Sequence, residues 1–189
     1  MSVSIIAGRC RGRRLLTPAG RSLRPTPGVV RETLFNWLGG HVAGARVLDL
    51  FAGSGALGLE AWSRGAQEVV FIEKNPRHRQ LLIRNLAACG VAPQQLAGVD
   101  ALKYLQRCTA PFNLIFADPP FDQGWPARMA PFLWNGPSLA AGGWLYLETS
   151  TTELWDDTLL PTHWRMHRRG RCGDAHYVLY TTSPEHRHV

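Results

Sequence analysis

The hydrophobic residues of this chain fall into short continuous runs, and the segments between these runs show helical spacing. The runs predict successive strands at 46–50, 68–73, 95–99, 114–118 and 144–148. Continuous apolar residues, rather than alternating ones, are typical of parallel strands that are buried on both faces. The segments with helical spacing end at Leu38, Arg64, Cys89, Cys108 and Leu133. This alternation predicts an α/β fold in which helices cover both faces of a mostly parallel sheet.

The two ends of the chain depart from this alternation. Near the C-terminus, residues 164–169 and 175–182 predict an antiparallel hairpin, which brings the sheet to seven strands. Near the N-terminus, residues 4–8 predict a short strand, and in the following helix Trp37 is expected in the core with Phe35 flanking it. The predicted parts of the chain are a basic N-terminal arm or hairpin at 1–31, one domain at 32–182 and a tail at 183–189.

Length and composition fit one globular domain. The chain has 189 residues, 45% of them hydrophobic, and no apolar run approaches the roughly 18–20 residues of a membrane span. The N-terminus lacks the apolar segment of a signal peptide, and the four cysteines form no Cys-x-x-Cys pair, which is typical of reduced thiols inside a cell. His163 and His167 are separated by about 13 Å in a predicted strand, too far for one ion. We expect a cytoplasmic monomer with no metal ion and no membrane partner.

The positive charge is concentrated at the N-terminus. The formal net charge is +7, and the first 31 residues account for all of it because they hold seven arginines and no acidic residue. Arginine matches phosphate oxygens and stacks on bases, which predicts a nucleic-acid-binding arm; a solvated, disordered tail is the alternative. The arginines expected to contact the nucleic acid are Arg9, Arg11, Arg13, Arg14, Arg24 and Arg31. Further arginines in the C-terminal hairpin either contact phosphate or form a solvated edge.

A glycine-rich turn follows the strand at 46–50. Gly53, Gly55 and Gly58 have Gly-x-Gly-x-x-Gly spacing before a predicted helix, so a ligand is expected to contact backbone at the helix N-terminus. Glu73 ends the next strand, 20 residues after Gly53, where an acidic residue accepts the hydroxyls of a ribose. This arrangement suits a dinucleotide and also suits S-adenosylmethionine.

Asp49 distinguishes between these two ligands. It lies four residues before Gly53, where its carboxylate would repel a pyrophosphate and attract an ammonium group. S-adenosylmethionine has a ribose and an ammonium but no phosphate, so we predict it as the cofactor. Asp100 either binds the adenine amino group or caps the helix that follows it. The predicted cofactor-binding residues are Asp49, Phe51, Gly53, Gly55, Glu73, Asp100 and Ala101.

The fourth strand ends in an unusual sequence, Asp118-Pro119-Pro120-Phe121. Neither proline has an N–H group, so the strand stops here, and ligands in open α/β sheets bind beyond the carboxyl ends of strands. The Asp118 carboxylate and the Pro119 carbonyl offer two acceptors beside the Phe121 ring, an arrangement that suits a planar group bearing an NH2. The alternative is a strand-terminating turn with an N-cap aspartate and a core phenylalanine.

These motifs together resemble a known family. The segment Asp49-Leu-Phe-Ala-Gly-Ser-Gly-Ala-Leu-Gly58 is similar to the cofactor motif of Rossmann-like class I S-adenosylmethionine-dependent methyltransferases, and Asp118-Pro-Pro-Phe121 resembles the catalytic motif of those that methylate amines. More specifically, the chain resembles the RsmD family from Ile5 to Tyr180. The segments that carry this resemblance are Gly8-Arg, Arg11-Gly-Arg13, Arg24-Pro-Thr26 and Arg31-Glu-Thr-Leu-Phe-Asn-Trp37. The domain at 32–182 is then the methyltransferase domain.

The resemblance implies a substrate and roles for the motif residues. The substrate would be the exocyclic N2 of one guanine, of the guanine-966 type, in bacterial 16S ribosomal RNA or the small ribosomal subunit. Glu73 would hold the ribose of the cofactor, Asp100 the adenine, Asp118 and Pro119 the target amine, and Phe121 would stack on the base. Three alternatives are the same chemistry on adenine in DNA or RNA, methylation of a protein glutamine, and an RNA-binding module without catalysis.

Overall fold

The chain is built from two compact units. A computed structural model describes residues 3–17, 26–153 and 157–184. One unit ends at Ala101 and the other begins at Leu102. Within the described ranges, no helix is long and apolar enough to cross a membrane.

The first unit begins with a small antiparallel pair and continues with alternating strands and helices. The pair is β1 (Val3–Ser4) and β2 (Arg14–Leu15), and helix α1 (Gly28–Leu38) follows it. The next elements are β3 (Arg46–Asp49), α2 (Ala56–Ser63), β4 (Glu68–Ile72), α3 (Pro76–Ala88) and β5 (Leu96–Ala97). Strands β5, β4 and β3 pair in that order and run parallel. Their carboxyl ends therefore share one edge of the sheet, and helix α4 (Ala101–Arg107) begins after it.

The apolar runs of this unit form its buried core as predicted, but the buried residues of α1 differ from the prediction. Val47 of β3 and Val69 of β4 are fully buried, as expected for central parallel strands. In α1, however, Trp37 is only half-buried and Phe35 is buried, so the prediction for these two side chains was wrong. The buried side chains of this helix include Arg31, which approaches a buried carboxylate. The face that contains Arg31 and Phe35 is therefore the buried one.

That carboxylate belongs to Glu60 of α2, which has no exposed surface. It accepts hydrogen bonds from the backbone N–H groups of Ile6 at 2.7 Å and Ala7 at 3.0 Å. The Arg64 Nε lies 2.7 Å and an Arg31 guanidinium nitrogen 3.7 Å from its oxygens. One acidic side chain thus joins α1, α2 and the N-terminal residues.

The N-terminal residues 3–17 are folded against the end of α2. Gly8 has φ +82°, and a Cβ atom there would lie 1.9 Å from the carbonyl oxygen of Ser63, so this close approach requires glycine. The N–H of Arg9 donates to the Ser63 carbonyl at 2.9 Å, and the N–H of Cys10 donates to the Ser63 Oγ at 2.9 Å. The described part of the N-terminal segment is therefore a docked hairpin rather than a solvated tail.

The second unit contains β6 (Phe112–Ala117), α5 (Trp125–Trp134), β7 (Leu139–Ser150), β8 (Trp164–Cys172) and β9 (Ala175–Thr182). Its strand order is β6–β7–β9–β8. Strands β6 and β7 are parallel, whereas β9 is antiparallel to both β7 and β8. On one face, the Trp134 ring of α5 packs against the rings of Trp164 and Tyr180 at centroid distances of 4.4 and 5.8 Å.

The predicted fold class is confirmed. Among the described residues, β3 to β9 belong to a seven-stranded, mostly parallel sheet with an antiparallel C-terminal pair. Several bounds differ from the prediction. Strand β7 is longer than the predicted 144–148 because it pairs with β6 on one side and β9 on the other. Strand β5 is shorter than predicted, and β2 was not predicted because its pairing depends on the docked hairpin.

Substitution Glu60→Gln is expected to destabilise the first unit. The amide loses the charge that faces Arg31 and Arg64, and removing one partner of a buried ion pair costs about 3–5 kcal/mol. The free energy of unfolding, measured in urea, should therefore fall by several kcal/mol. The matched control is Glu32→Gln on the exposed side of α1, which should change it by less than about 0.5 kcal/mol. Equal effects of the two variants would contradict this role for Glu60.

Candidate functional site

The glycine-rich turn of the first unit joins β3 to α2. Gly53 and Gly55 have φ values of +52° and +82°, which only glycine adopts at little cost. The N–H of Gly55 donates to the carbonyl of Ala52 at 2.6 Å, and the N–H of Ala52 donates to the carbonyl of Ile72 at the end of β4. The turn is therefore tight and fastened to the neighbouring strand.

Glu73 fixes the glycine turn to the end of β4. One carboxylate oxygen accepts the N–H of Gly53 at 3.0 Å, and the other accepts the N–H of Asn75 at 2.7 Å. His78 Nδ1 lies 3.7 Å from the first oxygen. Because Glu73 is only 9% exposed, these charge-assisted hydrogen bonds are shielded from water.

Asp49 likewise accepts a backbone N–H, in this case at the start of α2. Its Oδ2 accepts the N–H of Gly58 at 3.0 Å, and its side chain is buried. A carboxylate is favourable at this position, because unsatisfied N–H groups and the helix dipole make a helix N-terminus positive. A Cβ atom on Gly58 would lie 2.4 Å from the Phe71 ring and 3.0 Å from Asp49 Oδ2, so the third glycine of the motif is also required by packing.

The remaining predicted cofactor residues lie near the ends of strands in the same unit. Asp100 precedes α4, and its carboxylate lies 3.6 Å from Lys74 Nζ with the side chain 27% exposed. Ala101 is buried, and Phe51 is half-buried. The carboxylates at positions 49, 73 and 100 thus lie at or shortly after the ends of three parallel strands that share one edge.

One residue of this region was missed by sequence reasoning. Asn85 of α3 is buried, and its amide nitrogen donates to the carbonyl of Ser54 in the glycine turn at 2.8 Å. The same side chain both donates to and accepts from the backbone of Leu16, at 2.9 Å each. The signal in the sequence is a polar residue among the leucines of the apolar face of α3. Asn85 therefore links the glycine turn to the N-terminal hairpin.

The second unit contains the Asp-Pro-Pro-Phe motif immediately after β6. Asp118 and Phe121 are half-buried, Pro119 is buried and Pro120 is exposed. Strand β6 ends at Ala117, because neither proline can donate to the sheet. The predicted strand end and the four motif residues are thus adjacent, at the carboxyl edge of this unit.

The loop after the motif is held by residues that sequence reasoning did not identify. Asp122 has φ +59°, and its carboxylate accepts hydrogen bonds from the hydroxyls of Ser150 at 2.9 Å and Thr152 at 2.6 Å. Glu153 accepts the N–H groups of Asp122 and Gly124. These hydrogen bonds to Asp122 lower the pKa of its carboxyl group. The end of β7 therefore fixes the position of the motif loop.

A buried tyrosine and a buried glutamate lie beside the motif. The Tyr146 hydroxyl donates to the Glu148 carboxylate at 2.6 Å, and both side chains are buried. Burial raises the pKa of Tyr146 well above its ordinary value, and the negative charges of Glu148 and Asp118 raise it further. The tyrosine therefore remains a hydrogen-bond donor. Since Ala117 pairs with Leu147, Asp118 and Glu148 are the next residues on neighbouring parallel strands.

The predicted RNA-contacting arginines separate into two groups. Arg9, Arg11, Arg13 and Arg14 are exposed on the N-terminal hairpin. The guanidinium of Arg9 stacks 3.8 Å above the Trp62 ring and donates to the Trp62 carbonyl at 2.8 Å. Arg24 lies outside the described residues.

Arg31 requires a correction, because the structure does not place it on the surface. It is only 3% exposed, and it donates to the carbonyl of Ser4 at 3.1 Å besides facing Glu60. Burial lowers the pKa of its guanidinium from the ordinary value, and the Glu60 charge opposes that shift. Sequence reasoning could not separate it from the exposed arginines, since its burial depends on a carboxylate 29 residues away (positions 31 and 60).

The fold, the residues around the glycine turn and the Asp-Pro-Pro-Phe motif together define a class of protein. The alternating strands and helices, the glycine turn between β3 and α2, and the acidic residue after β4 are features of Rossmann-like class I methyltransferases, whose methyl donor is S-adenosylmethionine. The Asp-Pro-Pro-Phe motif after β6 accords with that class. Within the described residues, no group of three or more His, Cys, Asp or Glu side chains is placed to hold a metal ion.

The chain belongs to the family described as Conserved hypothetical protein 95, which matches residues 3–181. Ribosomal RNA small subunit methyltransferase D of Escherichia coli (strain K12) is 40% identical over 178 residues, covering 94% of this chain and 89% of that protein. The protein of the same name from Haemophilus influenzae is 34% identical over 183 residues, covering 94% and 93%. The solved structure of yhhF from Escherichia coli has a TM-score of 0.87 at 36% identity and covers 98% of this chain and 100% of that one.

These similarities confirm the RsmD-family resemblance and the class I methyltransferase fold. S-adenosylmethionine is the methyl donor that this family and fold imply for the chain. The curated relatives named above are ribosomal RNA methyltransferases.

Substitution Glu73→Gln is expected to weaken S-adenosylmethionine binding about ten- to a hundredfold. The glutamine NH2 would face one of the two backbone N–H groups, and a buried donor left without an acceptor costs about 1–3 kcal/mol. Isothermal titration calorimetry measures the dissociation constant directly. The control is Glu68→Gln on the same strand, which breaks only a partly exposed pair with Arg46. Unchanged affinity in the Glu73 variant, with normal affinity in the control, would contradict this role.

Proposed function

We propose that this protein transfers a methyl group from S-adenosylmethionine to the exocyclic N2 of a guanine in small-subunit ribosomal RNA. The observation that carries the proposal is a pair of neighbouring carboxylates in the second unit: Asp118 directly follows β6, and Glu148 lies near the end of the parallel strand β7. The names of the curated relatives support ribosomal RNA of the small subunit as the substrate.

The residues of the first unit fit S-adenosylmethionine better than a dinucleotide. Asp49 and Glu73 give the glycine turn two buried carboxylates, which favour a cationic ligand and oppose a pyrophosphate. In the proposed roles, Glu73 accepts the ribose hydroxyls, Asp49 attracts the ammonium and Asp100 accepts the adenine amino group. When bound, S-adenosylmethionine supplies an activated methyl group on a positively charged sulfur.

The motif of the second unit supplies the acceptors for the target amine. The lone pair of a guanine amino group is delocalised into the ring, so this nitrogen is a poor nucleophile. Hydrogen bonds from its two N–H groups to the Asp118 carboxylate and the Pro119 carbonyl favour a pyramidal nitrogen whose lone pair is available. The contribution of these residues is mainly alignment and electrostatic stabilisation, and the hydrogen bonds between Asp122 and the end of β7 keep the acceptors in place.

Glu148 favours guanine over adenine as the target. The Watson–Crick edge of guanine presents two neighbouring donors, N1–H and the N2 amino group, whereas adenine presents an amino group beside an acceptor nitrogen. The Tyr146 hydroxyl occupies one Glu148 oxygen and orients the carboxylate. We assign Glu148 to the guanine N1–H and Asp118 to the N2 amino group. Enzymes that modify a base read this edge after extruding the base from its stack.

The remaining contacts concern the RNA chain. Phe121 is half-buried beside the motif, and stacking of a base on such a ring contributes about 1–3 kcal/mol. The exposed arginines of the N-terminal hairpin are assigned to RNA phosphates, which gives a salt-dependent affinity. Arg9 has its planar group oriented by the Trp62 ring, so it loses less freedom on binding than a free side chain.

Substitution Asp118→Ala is expected to lower the rate of methyl transfer by about a hundredfold or more, since it removes a positioned acceptor for the amine. Single-turnover assays with labelled S-adenosylmethionine and small-subunit particles measure this rate. Binding of S-adenosylmethionine should change little, because the residues assigned to it belong to the first unit. The control is Asp174→Ala in the exposed turn between β8 and β9. Full turnover by the Asp118 variant would remove the proposed role.

Replacement of the target guanine by 2-aminopurine tests the assignment of Glu148. This base keeps the amino group but has an acceptor at N1, so the wild-type enzyme should methylate it at least about tenfold more slowly than guanine. The Glu148→Gln variant carries an amide that can donate to N1, and its preference for guanine should shrink or reverse. A purely structural role for Glu148 predicts equal losses on both bases. Methylation of adenine instead of guanine in the same RNA would contradict the proposed function itself.

A further inference from the structure

Strand β8 is an exposed and strongly basic edge of the second unit. It lies last in the order β6–β7–β9–β8 and pairs with β9. Every side chain from Arg165 to Arg169 is exposed, as is Arg171. The strand contains four arginines and one histidine but no acidic residue. Charged side chains on an edge strand also prevent edge-to-edge pairing, so the arrangement of these arginines must distinguish the two roles.

A β-bulge places two of these arginines on the same face. Arg165 pairs with Thr181 and Arg168 pairs with Leu179, and the register shifts between Met166 and Arg168. Since the two partners on β9 are two residues apart, their side chains share a face. Arg165 and Arg168 are three residues apart and would point to opposite faces of a regular strand. The bulge therefore aligns them.

Aromatic groups accompany the aligned arginines. The inserted residue, His167, packs edge-on against the Trp144 ring at a centroid distance of 5.0 Å. Arg169 differs from the other arginines, because it is ion-paired with Asp157, which also accepts a hydrogen bond from Tyr180. Arg169 therefore has a structural role, and the aligned pair has none in the contacts of this strand.

The direction of β8 leads to the edge that contains the Asp-Pro-Pro-Phe motif. Ala175 of β9 pairs with both Ser150, the last residue of β7, and Cys172, the last residue of β8. Ser150 is also the residue that holds Asp122 in the motif loop. Arg168 is four residues from Cys172, about 13 Å along the strand, so the aligned pair lies on the part of β8 that leads to the edge with the motif.

We infer that β8 is a second RNA-binding face, in which the aligned pair Arg165 and Arg168 contacts phosphates of the RNA that is methylated. This inference rests on the proposed function, and it adds a binding surface to it. A row of exposed guanidinium groups is complementary to a phosphate backbone, and a neighbouring aromatic ring suits unstacked bases. The face extends the RNA contact beyond the N-terminal hairpin to the unit that carries the motif.

The test uses the variant Arg165→Gln/Arg168→Gln in the full chain. Binding to small-subunit ribosomal RNA is measured as a function of salt concentration. Loss of two phosphate contacts should lower the slope of log K against log salt by roughly 1–2 and weaken binding about tenfold. The matched control, Arg84→Gln/Lys103→Gln, removes the same charge from exposed helix positions and should change the slope by less than about 0.5.

Each outcome decides between explanations. An unchanged slope and affinity in the β8 variant, with normal methylation, would overturn the second face and leave the proposed function standing. If this variant binds RNA normally but self-associates, the arginines serve only to keep an exposed strand edge solvated, which also overturns the inference. A wild-type protein that neither binds nor methylates the RNA would overturn the proposed function and this inference together.

Discussion

The candidate cofactor site depends on the hydrogen bonds that the Glu73 carboxylate accepts. This carboxylate accepts the N–H of Gly53 in the glycine turn and that of Asn75 after β4, so two loops that are 22 residues apart, at 53 and 75, share one acceptor. A glycine turn is permissive by itself, and without this acceptor its two left-handed residues would have many alternatives. The buried charge therefore holds a flexible sequence in one defined conformation.

Two other buried or loop-facing carboxylates hold backbone N–H groups in the same way. Glu60 fixes the N-terminal hairpin by accepting two of its N–H groups, and Glu153 fixes the motif loop in the same manner. In each case a side-chain carboxylate far away in sequence holds a loop that carries candidate functional residues. Loops positioned in this way present binding residues from a rigid scaffold, so their precision comes from tertiary contacts rather than from local propensity.

Sequence reasoning succeeded where the signal is local. The positions of Asp49, Glu73 and Asp118, within one residue of the ends of β3, β4 and β6, could be predicted because apolar runs stop at an acid, a glycine or a proline. It failed where the position of a residue depends on a partner that is far away in the sequence. Arg31 looks like any other arginine of a basic arm until Glu60 is placed beside it, and the pairing of β1 with β2 depends on contacts with α2. Asn85 and Asp122 likewise acquire their partners only when the chain folds. The roles of the site residues in catalysis and RNA binding stay predictions.

The most direct test of the account is nucleoside mass spectrometry of small-subunit ribosomal RNA from cells with and without this gene. The account predicts that one N2-methylguanosine is present in the first RNA, is missing from the second and returns when the gene is restored. An unchanged content of N2-methylguanosine, or the loss of N6-methyladenosine in its place, would contradict it.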